Sequence, residues 1–203
     1  MRKFTLLFIL FAMITNGCCG PKQETADKST VVLDNIFSRK SVRSYTSEKV
    51  PDEMLLTLAK AGMAAPSAMN RQPWEFIIIN DRDTLDILAG QLKYAKMLQQ
   101  AQAAIVVCAE TMIKLSDGTV VENMFWEHDA SAATQNILLA AEAMGLGAVW
   151  TAASDPERSA LVCATLGITG TVKPLCVIPI GWPAGNDQPK DKWKPEKVHY
   201  NRW

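Results

Sequence analysis

Residues 65–74 read Ala65-Pro66-Ser67-Ala68-Met69-Asn70-Arg71-Gln72-Pro73-Trp74, and the rest of the chain can be organised around them. Two prolines bracket the segment. Each restricts its own backbone and that of the residue before it, so a fixed loop is expected rather than a loose one. The apolar run 74–79 follows at once and is closed by Asn80-Asp81, the pattern of a buried strand. A rigid loop is thus hung on the start of a core strand. It carries a serine hydroxyl and two carboxamides, Ser67, Asn70 and Gln72, within six residues. Donors and acceptors on such a frame suit the edge of a flat heterocycle. The plainer reading is turn chemistry, because Ser and Asn often bond their own backbone.

Upstream stands Arg39-Lys40-Ser41-Val42-Arg43, three cations and a hydroxyl in five residues. Arg contacts phosphate bidentately and Lys adds a point charge. A solvated turn at a helix C-terminus would also explain the cations. Taken together, cluster and loop point to a bound phosphorylated ring system, with a flavin as the leading candidate.

Further out, residues 31–37 have apolar positions spaced for one or two helical turns. Val50-Pro51-Asp52-Glu53 opens a helix whose apolar side is Leu55, Leu56, Leu58, Ala59 and Met63. Helices are expected at 84–93, at 122–144 (the longest, stopped by Gly145-Leu146-Gly147) and from Asp155-Pro156 onward. Strands are expected at 103–109, 148–151 and 175–180. After Ala184 the chain is polar and basic, with Trp193, Tyr200 and Trp203 spread along it. A tail without its own core must lie over another surface, either a second subunit or its own domain. There is no internal repeat, and the element order makes an α+β or mixed α/β layered domain.

The 203 residues hold 21 basic and 21 acidic side chains, a balance that argues against a general nucleic-acid binder. Apolar content of 48% supplies a full core for one domain. Met1-Arg2-Lys3 followed by an apolar run over 4–14 has the layout of a secretory signal, too short to span a bilayer unaided. Small residues just before Cys18-Cys19 resemble a bacterial lipoprotein signal. The expectation is removal of residues 1–17, lipidation of Cys18 (Cys19 being the alternative), a tether over 18–30 and a domain over 31–203. A plain signal peptide with incidental cysteines is the simpler alternative. Cys108, Cys163 and Cys176 sit in apolar contexts and read as core thiols; with no CxxC spacing, and His128 and His199 far apart, no metal centre is expected.

The basic cluster, the Pro66–Trp74 loop, the long helix ending in Gly145-Leu146-Gly147 and the run through Ile180-Gly181 to the basic tail resemble the FMN-dependent nitroreductase family, over nearly everything from Leu33 onward. The resemblance implies a three-layer α/β/α fold with a central, mainly antiparallel sheet, and FMN at a homodimer interface. It implies that Arg39, Lys40, Ser41 and Arg43 hold the phosphate and ribityl chain, and that Pro66, Ser67, Asn70 and Gln72 contact the same flavin from the neighbouring subunit. It sets Trp150, Thr151 and Ala152 beside the ring, Lys190, Lys192 and Arg202 near the phosphate, and Lys96 near the pyrimidine edge.

The implied activity is that of an oxidoreductase. NAD(P)H passes hydride to flavin N5, and an electron-poor acceptor such as a nitroaromatic or quinone takes it next, by a ping-pong route. The cofactor does the chemistry and no side-chain nucleophile is needed. Glu127, His128 and Asp129 are not a catalytic trio, because consecutive helical residues point in different directions; they read as a polar helix start. The competing class is a non-catalytic, exported lipoprotein that binds flavin or a partner, motivated by the scarcity of NAD(P)H outside the cytoplasm. An unused signal would instead leave the protein cytoplasmic.

Overall fold

The computed structural model describes residues 27–203, so the signal segment, Cys18, Cys19 and most of the expected tether lie outside the described residues. The helices are α1 (Lys28–Ser38), α2 (Asp52–Met63), α3 (Arg82–Gln91), α4 (Trp126–Ala143) and α5 (Pro156–Leu166). The strands are β1 (Trp74–Ile79), β2 (Ala103–Glu110), β3 (Met112–Lys114), β4 (Val120–Glu122), β5 (Gly147–Ala148), β6 (Thr151–Ala152) and β7 (Val172–Gly181). The main sheet runs β1-β2-β7-β5 with β6 also on β7, and its pairings are antiparallel.

Strand β2 explains the layering. All of its residues but the last are buried, and side chains alternate between faces. Ala103, Ile105, Val107 and Ala109 pack with Leu55 and Leu58 of α2 and with Ala130, Ile137 and Ala141 of α4. Ala104, Val106 and Cys108 pack with Leu85 and Leu88 of α3 and Val162 of α5. Helices therefore cover both faces, which makes the three-layer α/β/α sandwich with its mainly antiparallel centre. It also explains why β2 reads as a continuous apolar run rather than an alternating one. Each large aliphatic side chain so buried contributes about 1.5–3 kcal/mol.

The structure corrects the sequence reading at several points. The expected tether over 18–30 ends early, since α1 already starts at Lys28. None of α1 is buried; the Asn35 side-chain amide donates to the Leu139 carbonyl of α4 at 3.0 Å. The expected helix over 122–144 begins only at Trp126, because Val120–Glu122 pairs with Met112–Lys114 as a hairpin. β-branched Val120 and Val121 favour a strand, and Gly118 (φ +88°) supplies the turn. The expected strand over 148–151 is two short pieces on β7, interrupted at Val149 and Trp150. Cys163 is only partly buried, whereas Cys108 and Cys176 are core thiols. Among the described residues no helix is long and apolar enough to cross a membrane.

Candidate functional site

Packing against two glycines builds the basic corner. After α1 the chain straightens and drives Val42 and Tyr45 inward, leaving them 1% and 6% exposed. Gly147 and Gly181 are register partners in β5 and β7. A Cβ on Gly147 would lie 2.6 Å from Val42 Cγ1, and one on Gly181 would lie 2.9 Å from Tyr45 Cδ1. Only hydrogen fits at either position, so the glycine pair is the seat on which the segment rests. Backbone bonds fix it: Val42 N donates to Ala148 O at 3.1 Å and Thr46 N to Trp182 O at 2.9 Å. The Tyr45 hydroxyl donates to Val42 O at 2.7 Å, and burial pushes its phenol above the usual range.

With Val42 turned inward, Arg39, Lys40, Ser41 and Arg43 line a cleft of about 330 Å³ together with Lys190, Lys192, Asp187 and Gln188 of the tail. Two basic segments far apart in sequence thus meet at one place. Lys40 is the exception in function: its Nζ sits 2.6 Å from Glu142 Oε1 of α4, so its charge is already matched. Among the described residues no ion pair engages Arg39, Arg43, Lys190 or Lys192. Four cations beside the single acid Asp187 repel one another, and an anion in the cleft relieves that repulsion. The sequence reading missed Asp187 and Gln188; nothing in their local pattern distinguishes them from tail residues.

The amide loop is built locally. Ser67 Oγ accepts from Gln72 N at 2.9 Å, Gln72 Nε2 donates to Asn70 Oδ1 at 3.0 Å, and Asn70 N donates to Ser67 O at 3.0 Å. These are the self-contained turn bonds of the plainer reading. They leave the Asn70 side-chain N–H groups and Gln72 Oε1 without a protein partner among the described residues. Met69, Asn70 and Gln72 have φ of 51°, 53° and 51°. Asn tolerates that region, but Met and Gln are strained there by about 1–3 kcal/mol each. Asn70 and Gln72 line a cleft of about 550 Å³ whose far wall is Met112 and Ile113 of the β3–β4 hairpin. Pro66 and Ser67 stand behind it as framework rather than lining.

Helix α4 joins the two. At its start Asp129, 4% exposed, accepts from Ala68 N at 2.9 Å; near its end Glu142 holds Lys40. Thirteen residues separate these acids, about 20 Å along the axis. Glu127 and His128 are exposed while Asp129 is buried, so the three side chains do not converge. Reading Asp129 as part of a merely polar helix start was incomplete. The missed signal is periodic: Asp129 falls in line with Ala133, Ile137 and Ala141, all core residues.

The remaining candidates lie elsewhere. Thr151 is buried, its hydroxyl donating to Val177 O at 2.6 Å, while Ala152 beside it is exposed and Trp150 packs on the core. Lys96 is not brought to either cleft; its ammonium donates to Ala89 O at 2.8 Å and Gly90 O at 3.2 Å, closing the C-terminus of α3. Arg202 lies exposed in the tail and lines neither cleft. Trp193, Tyr200 and Trp203 are 70%, 84% and 102% exposed, so they do not pin the tail to its own domain.

Comparison with known proteins agrees with this architecture. The model of the nitroreductase family matches residues 36–90 and 81–182. Several relatives carry the name "Putative NADH dehydrogenase/NAD(P)H nitroreductase". The crystal structure of the one from Bacteroides thetaiotaomicron superimposes with a TM-score of 0.79 at 47% identity, over 85% of this chain and 98% of that one. The one from Methanothermobacter thermautotrophicus is 37% identical over 173 residues, 85% of this chain and 87% of its own length. An FMN-dependent nitroreductase from Clostridium difficile superimposes with a TM-score of 0.74 at 27% identity, covering 84% of this chain and 99% of that one.

Proposed function

This chain belongs to the nitroreductase family, and from that premise we propose that it moves hydride from NAD(P)H to nitroaromatic, quinone or similar electron-poor acceptors by a ping-pong route. It is an NAD(P)H-dependent flavin oxidoreductase of the nitroreductase type, with FMN as its cofactor. The observation that carries the reading is the convergence of Arg39, Arg43, Lys190 and Lys192 on one cleft where Asp187 is the single acid and, among the described residues, no ion pair engages any of the four. That is the donor set a phosphate monoester needs. FMN, when bound, supplies the ring that accepts and releases hydride.

The residues of the chain bind and orient. Arg39, Arg43, Lys190, Lys192 and the Ser41 hydroxyl hold the phosphate end, while Lys40 keeps the corner tied to α4 through Glu142. Asn70 and Gln72 offer the amide groups left unused within the loop to the heteroatoms of the ring. Cys108 and Cys176 take no part as nucleophiles, because burial pushes both thiols up to about 12.

The positions of the two halves support a homodimer. In one protomer the amide loop lies at the start of α4 and the basic corner at its end. A two-fold axis lays each end of the helix beside the opposite end in the partner, so each site takes its corner from one chain and its loop from the other. Exposed apolar surface supports the pairing: Val32, Ile36 and Phe37 on α1, and Trp193 and Trp203 on the tail. The signal-like N-terminus supports export and anchoring through a lipid on Cys18, with the domain carried outside the cytoplasm. A diacylglyceryl cysteine in the mass spectrum of the native N-terminus is the expected finding there.

The deciding measurement is the visible spectrum of the purified protein. Yellow protein that bleaches on adding NADH or NADPH and recovers with a nitroaromatic or quinone is expected. Colourless protein that takes up no FMN refutes the proposal. Bound FMN that no pyridine nucleotide reduces favours the non-catalytic binder instead.

A further inference from the structure

Asp129 is an acid in the apolar stripe of α4. Removing a carboxylate from water is costly unless hydrogen bonds replace the solvent, yet Asp129 is 4% exposed and only its Oδ1 is bonded. Its Oδ2 is buried with no partner among the described residues. The acid is not spent on its own helix, whose N-cap residue Phe125 donates its N–H to Asn123 Oδ1 instead, at 3.2 Å. Its one bond runs across the molecule to Ala68 N, the first residue of the strained turn. Apart from that bond, among the described residues the loop over 66–73 meets the body of the protein through a single hydrogen bond at its far end, from Glu110 N to Pro73 O at 2.8 Å. The left-handed residues Met69, Asn70 and Gln72 lie between the two anchors.

We propose that Asp129 is a positioning residue: its carboxylate clamps the amide loop in the strained conformation that presents Asn70 and Gln72 to the bound ring. The helix N-terminus offsets part of the cost of the buried charge. Together with Glu142, which holds Lys40, it lets one rigid helix set the spacing between loop and corner. This inference rests on reading the loop as a flavin contact.

The test compares wild type, Asp129→Ala and Asp129→Asn, which keeps a carbonyl acceptor for Ala68 N. Three quantities are read: the melting temperature of the FMN-free protein, FMN affinity by quenching of flavin fluorescence, and the rate of tryptic cleavage after Arg71 without FMN. Local opening governs that cleavage when reclosing is fast. Asp129→Ala is expected to bind FMN about tenfold to a hundredfold more weakly, the loss of one charged hydrogen bond. It should be cleaved after Arg71 faster by a similar factor, with little change in melting temperature. Asp129→Asn should recover most of both. The clamp is overturned if Asp129→Ala matches wild type in cleavage and affinity, or if both variants lose affinity together with thermal stability. Wild type that takes up no FMN would sink the flavin reading instead, and the cleavage rates would still decide the clamp.

Discussion

The basic corner and the amide loop make two halves of one proposed site, yet opposite forces shape them. The corner is a product of long-range packing: Val42 and Tyr45 rest on Gly147 and Gly181, over a hundred residues away, and the cations follow from where those two side chains go. The loop is shaped by bonds within six residues and joined to the fold at its two ends. The corner is therefore as stable as the core beneath it. The loop holds strain that can be released without unfolding anything else. Damage to the packing beneath the corner should register as lost stability, and damage to the loop as lost ligand alone.

The sharpest way to break this contrast is to fill the seat. Gly147→Ala puts a Cβ 2.6 Å from Val42 Cγ1 and 2.8 Å from Val42 Cβ, atoms close to the backbone that cannot swing aside. Overpacking of this kind costs about 1–3 kcal/mol or more, so a melting temperature lower by about 6–12 °C is expected for the upper end of that range. Gly90→Ala is the control: nothing lies within 4 Å of a Cβ there, and an exposed helix position should gain about 0.5–1 kcal/mol. If both variants melt together, the corner does not depend on its seat.

Charges come next. Arg43→Ala removes a cation that no ion pair engages among the described residues, and FMN affinity should fall by about a hundredfold, with a weaker salt dependence. Lys40→Ala should cost clearly less affinity, because its ammonium is already held by Glu142. An equal loss in both would mean that the Glu142 pair gives way to the ligand.

These contrasts also mark how far the sequence could be read. The apolar runs within β1, β2 and β7 announced a sheet covered on both faces, and the cap Asp155 with Pro156 announced α5; such signals are local and strong. The convergence of Lys190 and Lys192 on the corner was legible only through family resemblance, since no local pattern ties a tail to a segment so distant. Lys96 shows the converse: a lysine that the resemblance sets near the pyrimidine edge closes a helix end in the protomer, where carbonyls left unpaired offer a near partner. The hairpin over 112–122 was hidden because a polar turn beside two valines looks like the approach to a helix. Asp129 is hidden in the sequence because it stands in a run of three adjacent polar residues, although helical periodicity separates them by burial.

A smaller effect separates turn from ligand at Asn70. Asn70→Gly keeps the left-handed backbone and removes only the amide; Asn70→Ala removes the amide and adds strain. FMN affinity about tenfold weaker in the glycine variant, and weaker still in the alanine variant, is expected. Unchanged affinity in the glycine variant would reduce Asn70 to a turn residue. Mixing Arg43→Ala chains with Asn70→Gly chains sharpens the result. If each site draws its corner and loop from different chains, a mixed dimer contains one intact site, and tight FMN binding returns to a fraction of the sites. If both halves came from one chain, mixing would restore nothing.

The smallest effect belongs to Tyr45. Its hydroxyl donates to Val42 O at 2.7 Å, with Pro179 O as a longer second acceptor at 3.3 Å, so Tyr45→Phe should lower stability near pH 7 by about 1 kcal/mol. Burial raises the phenol above its ordinary value of about 10, so the folded protein retains a proton that the unfolded chain releases. The stability tied to that proton is complete below pH 10 and declines as pH rises beyond it. Cys108 and Cys176, pushed up to about 12, add a decline that begins near pH 9. Denaturant unfolding across pH 7–11 should therefore show wild type losing stability in alkali, with Tyr45→Phe losing less of it above pH 10 and the same amount below. The loop over 66–73 has neither tyrosine nor cysteine, so the Arg71 cleavage rate should stay flat relative to global unfolding over the same range. A cleavage rate that climbs ahead of global unfolding would mean that the loop leans on the alkali-sensitive packing beneath the corner, and the two halves would no longer be independent.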